Sequence, residues 1–239
     1  MTPLVPIEFR DTDLDALATA PGRIVVFAGA EGTMGPAAKR MNRLTRGGVQ
    51  RFVDSPAFAK LKTGEGVDLA WPAGLEAEAV QVIKLDRRSG AAEARKAGAT
   101  IGAKLGEGGA IILADTINRA ADVSLGLCLR AYTFSDHKSE PAKPFGRVTM
   151  MVSAPEAIAA EAAPMAALAE GVFFTRDLVS EPANVLTTDD FAARLAAMQE
   201  LGLEVEILEE ADLEKLGMRT LLAVGMGSDS PSKVVVMQW

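Results

Sequence analysis

Histidine and cysteine are almost absent from this 239-residue chain, which has one of each, His137 and Cys128. A single cysteine excludes an intrachain disulfide, which fits a reducing compartment. It also excludes, within one chain, a zinc site made of several histidine and cysteine ligands. A catalytic dyad or triad that needs histidine would have to use His137, which lies in a polar stretch with no recognised arrangement around it. We interpret His137 as a surface residue and Cys128 as a packed thiol.

Aromatic residues and long apolar runs are also scarce. Aromatics make up 5% of the chain while apolar residues make up 49%, so the core must consist of Ala, Val, Leu, Ile and Met. That composition is typical of helix packing and α/β layers. Glu161 and Pro164 interrupt the Ala-rich stretch 157–169, so we expect no membrane span. The first ten residues lack the basic start and apolar region of a secretory signal, and we expect a cytoplasmic protein.

The net charge of −7 is unevenly distributed. Residues 1–150 contain 20 Lys and Arg against 17 Asp and Glu, which gives +3. Residues 151–239 contain 5 against 15, which gives −10. This asymmetry predicts two units with different surfaces.

Short apolar runs alternate with helical patterns through residue 153. This alternation predicts an α/β fold in which a mixed sheet is covered by helices on both faces. The predicted strands are 3–10, 22–28, 67–71, 79–85, 109–114 and 146–153, and the predicted helices are 36–45, 89–105 and 118–132.

A linker helix and a second, smaller unit follow. Residues 153–156 have capping-box spacing ahead of a long Ala-rich helix, which Pro164 is expected to kink or split. The predicted domains are therefore 1–153, a linker helix 154–182, and 183–239. In the last of these we predict helices 189–201 and 209–216, a strand 203–208, an apolar segment 221–224 and a buried parallel final strand 233–238. A buried parallel strand without a covering helix predicts that more protein follows.

Two acidic pairs are candidate ligands for a hard metal ion: Asp189 with Asp190, and Glu209 with Glu210. Neighbouring residues on a helix point in different directions, and acidic pairs at helix starts usually complement the helix dipole. We interpret both pairs as structural.

Residues 29–35 connect a predicted strand to a predicted helix and contain Gly29, Gly32 and Gly35. Backbone N–H groups there could hold a phosphate. The spacing is neither that of a dinucleotide-binding loop nor that of a P-loop, and Glu31 would repel an anion. We interpret this loop, and the shorter glycine clusters 106–109 and 225–228, as tight turns.

A basic group lies between Glu31 and Asp54, with no acidic residue inside it. Such a group favours phosphate contacts. Aromatic residues are not interleaved with it and the whole chain is acidic, so we interpret it as the solvated face of an amphipathic helix. Its members are Lys39, Arg40, Arg43, Arg46 and Arg51.

Residues 170–238 resemble the segment that opens the catalytic domain of the leucyl aminopeptidase (cytosol aminopeptidase) family. The resemblance departs from the family at Ser180, where Asn is common, and at Met226, where Gln is common. The first 150 residues are similar to the family's variable α/β domain in length and element order. The matching motifs are Thr175-Arg-Asp-Leu, Glu181-Pro-Ala-Asn-Val-Leu-Thr, Phe191-Ala, Leu203-Glu-Val, Leu216-Gly-Met and Leu221-Leu-Ala-Val-Gly-Met-Gly-Ser.

The resemblance implies a parent enzyme that releases N-terminal residues from peptides with two divalent metal ions (Zn²⁺, Mn²⁺ or Mg²⁺) and assembles as a homohexamer. The family's metal ligands lie in a Lys-bearing Gly-rich segment and in an Asn-Thr-Asp-Ala-Glu-Gly-Arg motif, and neither occurs in residues 1–239. We therefore assign no catalytic, metal-binding or cofactor-binding residue, and we do not substitute Asp189, Asp190 or Glu181. The chain alone is expected to be inactive and to contribute assembly and active-site access. Its expected partners are peptides, through the missing region, and copies of itself, with no membrane or nucleic acid.

The alternative is a non-catalytic binding module. A macro-like α/β domain with its glycine loop would recognise a nucleotide-like ligand, or the basic group would contact DNA. A homologue that has lost its chemistry is a third class.

Overall fold

The computed structural model describes residues 2–140 and 142–239. They divide into two compact units, the first ending at Phe174 and the second running over Thr175–Trp239. The domain boundaries expected near residues 153 and 182 stay predictions.

A six-stranded mixed sheet forms the centre of the first unit. Its order is β1-β6-β5-β2-β4-β3, and every neighbouring pair is parallel except β3 with β4. The predicted mixed α/β architecture is confirmed. The strands are β1 (Ile7–Asp11), β2 (Arg23–Ala28), β3 (Gly66–Ala70), β4 (Ala79–Lys84), β5 (Ala110–Leu113) and β6 (Val148–Val152).

Helices cover both faces of this sheet, because alternate residues of the central strands point to opposite sides. In β2, Val25 and Phe27 pack under α4 and α5. Ile24 and Val26 of the same strand pack under α1, α2 and α3. The helices are α1 (Pro36–Leu44), α2 (Gly48–Val53), α3 (Pro56–Lys60), α4 (Ala91–Gly102) and α5 (Ala120–Arg130).

Glycines bring α4 and α5 into close contact. A β-carbon at Gly98 would lie 2.0 Å from the carbonyl oxygen of Val123, and one at Gly126 would lie 2.0 Å from that of Arg95. Real β-carbons do not approach that closely, so these two positions require glycine for the helices to pack as they do.

Helix α6 (Pro155–Ser180) is one continuous 26-residue helix that contains Pro164. Of the two expected effects of Pro164, a kink or a split, the split is therefore wrong, and the kink stays a prediction. The length and composition of α6 would also allow it to cross a membrane. Long helices of soluble proteins meet the same criterion, so this feature assigns no membrane role.

The second unit contains a two-stranded antiparallel sheet, β7 (Glu204–Leu208) with β8 (Val234–Gln238). Its helices are α7 (Thr188–Ala196), α8 (Glu210–Lys215) and α9 (Arg219–Gly225), and a 3₁₀ turn, Ala197–Leu201, extends α7.

One further expectation is contradicted by the structure, and three helices appear where no helix was predicted from the sequence. The final strand was expected to be buried and part of a parallel βαβ-like unit, but β8 is antiparallel to β7 and half-exposed. The apolar segment 221–224, for which no conformation was predicted from the sequence, lies within α9. Helices α2 and α3 were not predicted, because each spans less than two turns and has too few residues to show a helical period.

Candidate functional site

The part of the second unit that resembles the aminopeptidase segment begins with a capped helix. The Thr187 side chain accepts a hydrogen bond from the Asp190 backbone N–H, while the Asp190 carboxylate accepts from the Thr187 N–H and hydroxyl. These bonds lower the pKa of Asp190. The sequence offers Thr187 or Thr188 as the residue that caps α7, and in the structure the cap is Thr187.

Lys233 is the centre of an ion cluster that joins three elements. Its Nζ lies 2.8 Å from Asp189 Oδ1 at the start of α7 and 2.6 Å from Glu209 Oε2 just before α8. The Lys233 side chain is 11% exposed although both carboxylates are largely in solvent. Hydrogen bonds to Asp189 and Glu209 raise the pKa of Lys233, so it is a cation across the physiological range.

Glu210 has a separate partner. Its Oε1 accepts a hydrogen bond of 2.9 Å from the backbone N–H of Ser232. A β-carbon at Gly225 would lie 2.0 Å from Ser232 Oγ, so this glycine lets α9 approach the residues before β8. Glu210 and Gly225 therefore fix the loop that carries Lys233.

A cleft of about 660 Å³ lies beside this cluster. Residues of α9, among them Arg219 and Val224, line it together with Thr188 and Lys233. Val224 is 84% exposed, so an apolar side chain of α9 lies open to solvent beside the cleft. The cleft has two cations and no carboxylate in its lining, which does not suit a cation site.

The carboxylates considered as metal ligands are dispersed among these structural contacts. Asp189 and Glu209 are brought together, but around a lysine. Asp190 caps α7, and Glu181 pairs with Arg194 at 3.1 Å. Across residues 2–140 and 142–239, no three His, Cys, Asp or Glu side chains are grouped so that they could hold a metal ion.

Cys128 lies where the sequence predicted it, buried in α5. Its Sγ lies 3.8 Å from the Val5 carbonyl oxygen, and burial raises the pKa of the thiol to about 11. Cys128 is therefore protonated at neutral pH and unsuited to nucleophilic chemistry. The ring of His137 lies 5.7 Å from that of Phe134 in the loop after α5. Part of that loop, at residue 141, lies outside the described residues.

The glycine loop 29–35 is a tight turn whose amides are already bonded. Gly29 N–H donates to the Thr33 carbonyl at 2.8 Å, and Ala30 N–H donates to Asp86 Oδ1 at 3.0 Å. A β-carbon at Gly29 would lie within 2.6 Å of both Thr33 Oγ1 and Asp86 Oδ1. A carboxylate thus occupies the position that a phosphate would need, and the structure does not favour nucleotide binding here.

Sequence reasoning did not identify Lys233. Its two partners are far away along the chain, and a lysine at the start of an apolar strand carries no local signal of such contacts.

Comparison with known proteins places this segment in a family. The model of the cytosol aminopeptidase family, catalytic domain, matches residues 173–239. A probable cytosol aminopeptidase of Cereibacter sphaeroides is 65% identical over all 239 residues, which are 49% of its own length. One of Dinoroseobacter shibae is 52% identical with the same coverage. The chain thus spans about half the length of the curated relatives it matches.

Solved structures agree on the fold. A tomato leucine aminopeptidase mutant matches with a TM-score of 0.77 over 99% of this chain and 51% of its own, at 17% identity. The bottromycin maturation enzyme BotP in complex with Mn matches with a TM-score of 0.63 at 25% identity, over 91% of this chain and 44% of its own. With relatives of high identity along its whole length and a family match over its second unit, the chain belongs to the cytosol (leucyl) aminopeptidase family.

Proposed function

We propose that this chain is part of a metal-dependent leucyl aminopeptidase, a hydrolase that releases N-terminal amino acids from peptides. The observation that carries the proposal is the 65% identity along the whole chain to a probable cytosol aminopeptidase, together with the catalytic-domain match over residues 173–239. A cytoplasmic location and assembly as a homohexamer belong to the same proposal.

The carboxylates of residues 2–140 and 142–239 do not fit the metal pair that such an enzyme needs. The candidate carboxylates Asp189 and Glu209 are neutralised by Lys233, and Glu181 is paired with Arg194. In this proposal the two divalent ions are bound outside residues 1–239, and no residue of this chain takes part in a catalytic step. The manganese named for BotP supports Mn²⁺ as one of the ions, alongside Zn²⁺ and Mg²⁺.

What this chain contributes is then assembly and access to the active site. The second unit supplies a framework, held by the Lys233 cluster, on which the rest of a catalytic domain would build. The first unit supplies a separate α/β body with its own core. The 239-residue chain alone is inactive in this proposal.

A peptidase assay tests the proposal. The purified chain with Mn²⁺ and leucine-4-nitroanilide should release no nitroaniline above the rate without protein, while the full-length Cereibacter sphaeroides relative in the same buffer should. The part of that relative beyond the aligned half is then assayed with and without this chain, and activity is expected only from the mixture. Robust turnover by the 239-residue chain alone would contradict the proposal.

A further inference from the structure

Strand β3, one of the two edge strands of the six-stranded sheet, adjoins a cleft. Strand β3 lies at the end of the sheet order, and within the described chain it pairs with β4 alone. The cleft, about 640 Å³, takes in Asp68, Leu69 and Ala70 of β3. Arg51 of α2 and Trp71, which follows β3, line it as well.

The hydrogen-bond register shows which backbone groups of β3 remain available. The Trp71 N–H donates to Glu78 and the Lys84 N–H donates to Glu65, each at 2.8 Å. In an antiparallel pair, bonded and non-bonded residues alternate. The N–H and C=O groups of Asp68 and Ala70 therefore point away from β4, toward the open edge. An edge of this kind is a template for one more strand.

Trp71 stands at the end of that edge in a strained conformation. Its φ is +45°, which a residue with a bulky side chain rarely adopts, and its side chain is 77% exposed. The connection after it is anchored, because Leu75 N–H bonds to Pro72 and Glu76 N–H bonds to Ala18. The fold thus holds a large apolar ring in solvent at a conformational cost, and such strain is found at ligand clamps.

The neighbouring surface is positively charged. Arg51 Nη1 donates a hydrogen bond of 2.9 Å to the carbonyl oxygen of Arg46, a residue whose φ is +51°. The loop at Gly74 packs against the carbonyl oxygen of Leu44. The C-terminal end of α1 and Arg46 are thereby close to the cleft, and Arg51 lines it. Asp68, which also lines the cleft, has its carboxylate paired with Arg23 at 2.7 Å. None of the group's five cations forms a salt bridge with a carboxylate of the described residues; they are Lys39, Arg40, Arg43, Arg46 and Arg51.

We propose that an extended acidic segment of another protein docks here as an added strand on β3, with its side chains against Trp71 and its carboxylates near the basic group. Backbone pairing supplies affinity in such strand addition, and flanking pockets supply specificity. Tryptophan and arginine are the residues that most often dominate protein interfaces. A nucleic acid would use the ring and the cations but not the row of backbone groups that β3 leaves open. The proposal is independent of peptidase activity.

Fluorescence anisotropy with the full 239-residue chain tests the proposal. The probe is a labelled peptide with alternating Asp or Glu and Val. Two controls are the same peptide with Lys for each acid and the same peptide N-methylated at alternate amides. We expect saturable binding of the acidic peptide, at least about tenfold weaker binding of both controls, and affinity that falls with salt.

Two variants separate docking from folding. Trp71→Gly removes the ring and suits the positive φ, so the fold should persist. Ala70→Pro removes one N–H that points away from β4, a position where edge strands tolerate proline. Each of these two variants should weaken peptide binding about tenfold or more. The double variant Arg43→Gln with Arg46→Gln should do the same. Arg88→Gln, which changes an exposed arginine outside the basic group, is the control and should leave binding unchanged.

The proposal is overturned if the acidic peptide shows no saturable binding up to about 1 mM. It is also overturned if Trp71→Gly and Ala70→Pro both bind the peptide as tightly as wild type, or if an oligothymidylate binds more tightly than the acidic peptide. A chain that forms dimers lost in Ala70→Pro would also contradict it, because a second copy would then occupy the edge.

Discussion

At the scale of single residues, Lys233 has more structural consequence than any residue of the aminopeptidase-like segment identified from sequence. One ammonium group satisfies carboxylates at the starts of α7 and α8 and fixes the beginning of β8. Both carboxylates would otherwise face each other across the same gap. Removing the cation leaves two like charges close together, which is worse than removing an isolated surface pair.

Lys233→Met is therefore expected to destabilise the second unit, seen as faster hydrogen exchange in α7, α8 and β8 with little change in β2 or β4. The pKa of Lys233 is raised in the fold, so its stabilisation is fully present below the ordinary lysine value and is lost as pH rises through the folded one. The difference in the free energy of unfolding between wild type and Lys233→Met should accordingly be constant near neutral pH and become smaller in strong alkali. Lys215→Met, which removes an exposed pair with Asp212, is the matched control and should change little.

Single residues were predictable from sequence where their contacts are local, and not where their contacts join distant segments. The cap formed by Thr187 was predictable because its partner is three residues away. Burial of Cys128 was predictable from its apolar helix. The Lys233 cluster and the position of Trp71 beside Arg51 depend on contacts between distant segments, and no local pattern encodes them. No aromatic residue is interleaved with the basic group along the sequence, yet the fold places Trp71 in the same cleft as Arg51.

At the scale of elements, helix α6 shows how context overrides a local rule. Pro164 removes one backbone hydrogen bond and crowds the preceding turn, which predicts a kink or a break. The helix is nevertheless unbroken from Pro155 to Ser180. Its Ala-rich sequence has high helix propensity on both sides of the proline, and Ala162 and Ala169 are buried on one side of it. Packing and propensity together outweigh the single defect.

Pro164→Ala should consequently stabilise the chain, because Pro164 is exposed and alanine restores the missing bond. We expect a gain of about 1–3 kcal/mol in the free energy of unfolding, measured by urea denaturation followed through far-UV circular dichroism. Glu170→Ala, at another exposed position of α6, is the control and should shift stability by less than about 0.5 kcal/mol. A Pro164→Ala variant less stable than wild type would show that the proline is required for the local geometry.

Elements with a clear period were predictable and short ones were not. Strands β2 and β4 lie within one residue of their predicted bounds because continuous runs of Val and Ile identify buried strands. The pairing of β8 was wrong for a different reason. An apolar run is compatible with a parallel or an antiparallel neighbour, and only the path of the chain between β7 and β8 decides which.

At the scale of the whole chain, the two units differ in how much apolar surface each buries for itself. The first contains two extensive clusters, one on each face of its sheet. In the second, Ala192 and Leu213 are the buried apolar residues among the described residues, while Leu216, Val224 and Met226 are exposed. Stability follows buried apolar area, so the two units should not open with the same free energy.

Native-state hydrogen exchange should reveal this difference. Amides of β2, β4 and β5 should exchange only through global unfolding, and those of β7 and β8 on the order of 100-fold faster through opening of the second unit alone. Leu213→Ala removes the largest buried side chain of that unit. It should lower the free energy of unfolding of the second unit by about 2–5 kcal/mol, and so accelerate exchange in β7 and β8 while leaving β2 unchanged. Ile112→Val, a milder truncation in the first unit, should act only on the central sheet. Equal protection of β8 and β2 in the wild-type chain would mean that the second unit, despite its sparse core, opens only with the whole molecule.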